Sequence, residues 1–197
     1  GQSGYVFKDL DATKLAALID KIDDLTADGA TNYEDAFKQA GDWFQSLPSD
    51  GSYKDLTFFL TDGNPTTHIG EGGGSYTNYG DVANALDDFQ QVAGYGEVHA
   101  IGIGAGINES ILKFFDNTST TGSQWVQLED GSWVHAEAGQ VDIVNDADGL
   151  NAALQGGGPD SIDPLPVSND TLSGGDGNDI LFGDAINTDG LTWAGRP

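Results

Sequence analysis

Two groups of oxygen-bearing residues in this chain have the types and spacing to hold a hard divalent cation. The first lies near the C-terminal end, where Gly174-Gly175-Asp176-Gly177-Asn178-Asp179-Ile180-Leu181-Phe182 follows a nine-residue pattern of glycines, an aspartate and an apolar residue. Glycine permits the positive-φ turns that crowd backbone carbonyls round an ion, and aspartate adds carboxylate oxygens; both suit Ca²⁺. Asp170 precedes Asp179 by nine residues and Leu172 precedes Leu181 by nine, as a second turn of a parallel β-roll requires. Candidate ligands for one or two Ca²⁺ ions are Asp170, Gly174, Asp176, Gly177, Asp179 and Asp184, with Asp176 at a variable position of the pattern. Each turn of such a roll buries its apolar side chain only against its neighbours, so about three turns are normally needed for stability. Here one turn is complete (174–182), flanked by partial turns.

The second group is split along the chain. Gly29-Ala30-Thr31-Asn32-Tyr33 stands at the mouth of an expected helix, and Leu60-Thr61-Asp62-Gly63 at the carboxyl end of an expected buried strand. In open parallel sheets, ligand sites lie just beyond the carboxyl ends of the strands. A hydroxyl from Thr31 and a carboxylate from Asp62 meeting there would suit Mg²⁺ or Ca²⁺, with water or a partner's carboxylate completing the shell. Each residue also has an ordinary reading: Thr31 as a helix N-cap and Asp62-Gly63 as a turn. Thr77-Asn78-Tyr79 repeats Thr31-Asn32-Tyr33 but has no partner loop, so the repetition reads as coincidence.

The elements that must position these residues follow from periodicity. Leu15, Leu18, Ile19, Ile22 and Leu25 form a helical stripe ended by Asp28-Gly29. A second helix is expected from Tyr33 to Leu47, burying Tyr33, Ala36, Phe37, Ala40, Trp43 and Phe44 before Pro48. The apolar run 56–60 reads as a strand covered on both faces, and 98–104 as another. Between them come glycines 70, 72, 73 and 74 and a helix from Asp81 to Val92. Asn108 is expected to cap a helix, 124–128 and 132–136 to form a hairpin, 141–144 a strand and 147–154 a helix. Alternating strands and helices predict an α/β layer fold with a mainly parallel sheet. The expected organisation is a domain over 1–155, a Gly/Pro linker over 156–167 and a calcium-repeat segment over 168–197.

Composition narrows the partners. The net charge is −25, carried by 26 Asp against 6 Glu. Aspartate prefers caps, turns and metal loops over helix interiors, so the bias suits calcium loops; a salt-adapted surface is the alternative. So acidic a surface makes nucleic acid and anionic membranes poor partners. There is no Cys, so calcium would do the stapling that disulfides do elsewhere. No run approaches the roughly 18 apolar residues of a membrane span. The chain has no Met and is expected to be a piece of a longer polypeptide.

Taken in order, G-x-T-N-Y before a helix, F-L-T-D-G about 30 residues later and His99-Ala100-Ile101-Gly102-Ile103-Gly104 resemble a von Willebrand factor type A domain. The C-terminal nonapeptide resembles the repeats-in-toxin (RTX) family. The tandem is similar to the distal end of large bacterial RTX adhesins, over roughly residues 10–184. The resemblance implies a Rossmann-like type A domain with a mainly parallel sheet flanked by helices, plus a short C-terminal parallel β-roll. It also implies an adhesion-type metal site with Thr31 as hydroxyl ligand and Asp62 as carboxylate ligand. The family's first metal loop, D-x-S-x-S, is absent from this sequence, so the first strands of the domain are expected to be missing and the site incomplete.

The implied protein is a calcium-dependent adhesin module, exported by type I secretion to the outside or surface of a Gram-negative bacterium. It would support biofilm formation and attachment to a host-cell or abiotic surface ligand, alongside the remaining domains of the same adhesin. The alternative is a structural carrier that presents a neighbouring or inserted ligand-binding domain. An enzyme is not expected: H-E-x-x-H and G-x-S-x-G are absent, and there is no Cys nucleophile. His68, His99 and His135 are too scattered for a zinc motif, and His99 reads as a structural residue of its strand. Glycines 102, 104 and 106 do not match a dinucleotide fingerprint. Trp125 and Trp133 are expected to pack in a core, with an aromatic binding face as the alternative.

Overall fold

A computed structural model describes residues 12–23, 29–47 and 55–154. The calcium-repeat residues Asp170, Gly174, Asp176, Gly177, Asp179 and Asp184, the expected linker and the β-roll lie outside the described residues.

The order of elements is α1 (Ala12–Asp23), α2 (Tyr33–Gln45), β1 (Asp55–Thr61), α3 (Tyr79–Ala93), β2 (Gly96–Ile103) and α4 (Glu109–Leu112), which tightens into a 3₁₀ turn over Lys113–Phe115. Then come β3 (Ser123–Gln127), β4 (Trp133–Glu137), β5 (Asp142–Val144) and α5 (Ala147–Leu154). Strands β1, β2 and β5 make a parallel sheet in the order β1-β2-β5, with Asp55 opposite Gly96 and Thr61 opposite Gly102. The chain is therefore α/β, with a three-stranded parallel sheet flanked by helices and a separate antiparallel pair, β3-β4.

Aromatic side chains fill the main core. Tyr33 and Phe37 from α2 meet Phe59 of β1, and Phe89 of α3 joins them round Phe115. Tyr33 stands edge-on to Phe59 at 4.8 Å and to Phe115 at 5.1 Å, the T-shaped arrangement that the ring quadrupole favours. On the opposite face of the sheet a smaller cluster of Ile101, Val144 and Ala153 packs with Phe58 and Leu150.

Two packing expectations change. Strand β1 is not covered on both faces: Leu56 and Leu60 are 51% and 41% exposed. Among the described residues it is the outer strand of the sheet; α5 packs against β5 and β2, and Phe58 is the β1 side chain that joins the cluster on that face. On α2 the buried face runs through Tyr33, Phe37, Gly41 and Phe44, so Trp43 is 40% exposed and Ala36 faces outward. The rotation has a cause in Gly41, where an added Cβ would sit 3.0 Å from the side chain of Gln91 on α3. The two helices pack through the missing side chain.

The hairpin also differs from expectation. Its register pairs Val126 with Val134 and Trp125 with His135. Side chains alternate across a strand, so burying Val134 turns Trp125 and Trp133 outward, 66% and 52% exposed. Trp125 stacks on His135 at 4.5 Å. His99 is partly exposed on β2, its ring tilted against Phe58 at 5.6 Å.

Candidate functional site

Three loops meet at the carboxyl end of β1 and β2. The loop before α2 is zipped to the loop after β1: the Thr31 N–H donates to Thr66 Oγ1 at 3.2 Å, and the Thr66 N–H to the Thr31 carbonyl at 2.9 Å. The loop after β1 is tied in turn to the loop after β2. Asn64 donates its side-chain amide to the Gly106 carbonyl at 3.1 Å and accepts from the Asn108 N–H at 2.7 Å.

Within this rim the chain reverses at Thr61-Asp62-Gly63. The Thr61 hydroxyl donates to the Gly63 carbonyl at 2.8 Å, and the buried Tyr33 hydroxyl donates to the same oxygen at 2.7 Å. Burial, opposed by the Thr61 hydrogen bond and assisted by the Asp62 charge, pushes the Tyr33 phenol up to about 12. Gly63 lies close against Thr31: a Cβ there would stand 2.8 Å from Thr31 Oγ1, so the Thr31 side chain would have to turn.

Thr31 and Asp62, separated by 31 positions in sequence, therefore line one cavity of about 430 Å³ together with Asn32, Tyr33, Thr61 and Ile103. Its other polar side chains are engaged. Asn32 Oδ1 accepts from the Asp35 N–H at 2.9 Å, and Thr61 is committed to Gly63. Asn32, not Thr31, is the N-cap of α2. The capping role thus falls away from Thr31, whose hydroxyl, like the exposed Asp62 carboxylate, has no hydrogen-bond partner among the described residues.

A second cluster sits on the loop that follows. His68 Nδ1 is 2.9 Å from Asp81 Oδ1 and 3.0 Å from Glu71 Oε2. Asp81 is fully buried as the N3 residue of a capping box: Asn78 Oδ1 accepts from the Asp81 N–H, and Asp81 Oδ2 accepts from the Asn78 N–H at 2.9 Å. The Asp81 hydrogen bond raises the His68 imidazole above its ordinary value, against the opposing pull of burial. The scattered histidines thus conceal one that finds two carboxylates. The signal available in sequence was His68-x-x-Glu71 beside a glycine run, followed by Asn78-x-x-Asp81, a capping pair whose acid points back at the loop.

Two other features surround these sites. The second Thr-Asn-Tyr starts a helix as the first does, with Asn78 capping α3. Asp116 is buried behind β2, where it accepts from the Ala100 N–H at 2.8 Å and the Thr118 N–H at 2.7 Å; burial raises its carboxyl despite those bonds. No described helix is long and apolar enough to cross a membrane. Comparisons with family models, curated proteins and solved structures found no match for this chain.

Proposed function

We propose that this chain is a calcium-dependent module of a secreted RTX-type adhesin, in which a type A-like domain carries the adhesion-type metal site and the C-terminal repeat loads calcium. The observation that supports it most is the meeting of Thr31 and Asp62 in one cavity at the carboxyl end of a parallel strand. A hydroxyl and a carboxylate at that place suit Ca²⁺ or Mg²⁺, and a carboxylate from the captured surface ligand would complete the shell. Calcium that binds only the folded chain stabilises it by mass action, so millimolar calcium outside the cell would favour folding there.

A carrier role is the second reading, and a specific observation favours it. Thr31 and Asp62 supply two oxygens where Ca²⁺ takes about six to eight, and the outer edge of β1 pairs with no described strand. Under that reading the type A fold holds a neighbouring ligand-binding domain in place and does not itself grip the surface.

Calorimetric titration of Ca²⁺ and Mg²⁺ into metal-stripped protein separates the two. The adhesin reading expects heat to be lost from one site in Asp62→Ala and from another in Asp179→Ala. Loss in Asp179→Ala alone removes the metal-dependent adhesion site and leaves the carrier. Loss in neither sets aside calcium binding at both places.

A further inference from the structure

We propose that His68, Glu71 and Asp81 form a second metal site, distinct from any calcium site, which takes a first-row transition ion of the Zn²⁺ class. The inference starts from a mismatch between donors and acceptors. One imidazole nitrogen, His68 Nδ1, faces two carboxylates at 2.9 and 3.0 Å. A single N–H serves one acceptor well and is only shared between two, and its hydrogen bond goes to Asp81; an ion in the proton's place would engage all three groups. The ligand atoms of the three residues all lie within 4.8 Å of one another. Donors bound at about 2.0–2.1 Å to one ion stand roughly 3.0–3.4 Å apart; the two pairs that involve His68 already lie near that spacing, and the remaining closure is between the two carboxylates.

The surroundings are built to hold those donors. Asn78 buttresses both carboxylates: its N–H holds Asp81 Oδ2 at 2.9 Å, and its side-chain amide reaches Glu71 Oε1 at 3.5 Å. The oxygens left over are the two that face His68, the arrangement by which outer hydrogen bonds orient metal ligands. Gly80 allows the imidazole to lie across the start of α3, since a Cβ there would sit 2.9 Å from His68 Cε1. One residue before Asn78, the buried hydroxyl of Thr77 has no hydrogen-bond partner among the described residues. Asp81 is fully buried, while His68 and Glu71 are 24% and 35% exposed, which leaves coordination positions open to water.

Charge and donor type select the ion. Glu34 adds a third carboxylate by accepting from the Ile69 N–H at 2.5 Å, next to His68, and each of these acids acts electrostatically on the imidazole. The positive end of α3 opposes a cation, but Asp81 at N3 already offsets that end of the dipole. A shell of one imidazole and two carboxylates suits zinc or a neighbouring transition ion; calcium prefers a larger, all-oxygen shell. The bound ion would clasp the glycine-rich loop that carries Glu71 to the start of α3.

The test titrates Zn²⁺ into the full chain in saturating Ca²⁺, and reads Co²⁺ absorption as the spectroscopic signature. One tight equivalent is expected, lost in both His68→Gln and Glu71→Gln and kept in His99→Gln and His135→Gln. Glu71 is exposed, so Glu71→Gln remains a fair test should His68→Gln fail to fold. The proposal is overturned if Glu71→Gln keeps the stoichiometry and Co²⁺ spectrum of the parent, if Ca²⁺ displaces the ion, or if zinc is held only weakly by scattered surface carboxylates.

Discussion

The same three residues, Thr-Asn-Tyr, open two neighbouring helices and end up in opposite circumstances. In both copies Asn is the N-cap: Asn32 accepts from the Asp35 N–H and Asn78 from the Asp81 N–H. Beyond the cap they part. Tyr33 is 2% exposed in the aromatic core, whereas Tyr79 is 54% exposed. Thr31 lines the open cavity, whereas Thr77 is buried without a hydrogen-bond partner among the described residues. A cap is a local transaction between a side chain and the next turn of backbone, so sequence alone sets it. The flanking side chains answer to what lies across from them, and only tertiary packing decides that.

The largest expected contrast lies in the tyrosines. Tyr33→Ala removes a ring packed edge-on against Phe59 and Phe115 and should destabilise by about 3–5 kcal/mol, the range for truncating a core aromatic. Tyr79→Ala should stay within about 0.5 kcal/mol, as surface changes do. Urea unfolding of both variants reads the difference, and equal losses would erase the distinction between the two copies.

Alkaline pH sharpens the same contrast. The folded Tyr33 phenol holds its proton up to about 12, against 10.0 for the free group. The folded state therefore binds more protons than the unfolded one between those values, so stability falls as pH rises through them. The full loss would be about 2–3 kcal/mol, from roughly two pKa units at 1.36 kcal/mol each. Tyr33→Phe should flatten that arm of the stability–pH curve. The lost Gly63 hydrogen bond shifts the whole curve but does not change its slope there.

How much was legible follows from the same distinction. Periodicity placed both main strands, the hairpin and helices α2 and α3 within a few residues, because alternation and capping are local signals. The order Thr31 to Asp62 suggested a shared site, and both residues line one cavity. Burial was less readable. Trp43 looked apolar enough for a core, but Gly41 turns another face of α2 toward α3. Trp125 and Trp133 were expected in the core, with an aromatic binding face as the alternative; the Val126–Val134 pair holds the inward side and both tryptophans are exposed. The His68 cluster was hidden because Asp81 reaches it across a glycine loop whose path no short motif records.

The asparagines test the part the two copies share. Asn32→Ala and Asn78→Ala should each cost about 1 kcal/mol, the usual loss of an N-cap. Thermal unfolding that shows similar losses supports capping as the common element. A much larger loss at Asn78 would mean that its hold on Asp81 and Glu71 organises the loop as well as the helix.

The threonines carry the smallest effect and the sharpest sign. Thr77→Val keeps the shape of the side chain and removes a buried hydroxyl that no described group meets, so the zinc-free protein should gain roughly 0.5–1 kcal/mol. Thr31→Val removes a half-buried hydroxyl that faces the cavity, so its stability should change by less than about 0.5 kcal/mol. Its effect should appear instead in the calcium and magnesium titration, as a weaker site shared with Asp62. If Thr31→Val leaves metal binding untouched while Thr77→Val destabilises, the roles are reversed: the buried hydroxyl has a partner that matters, and the open one is an ordinary loop residue.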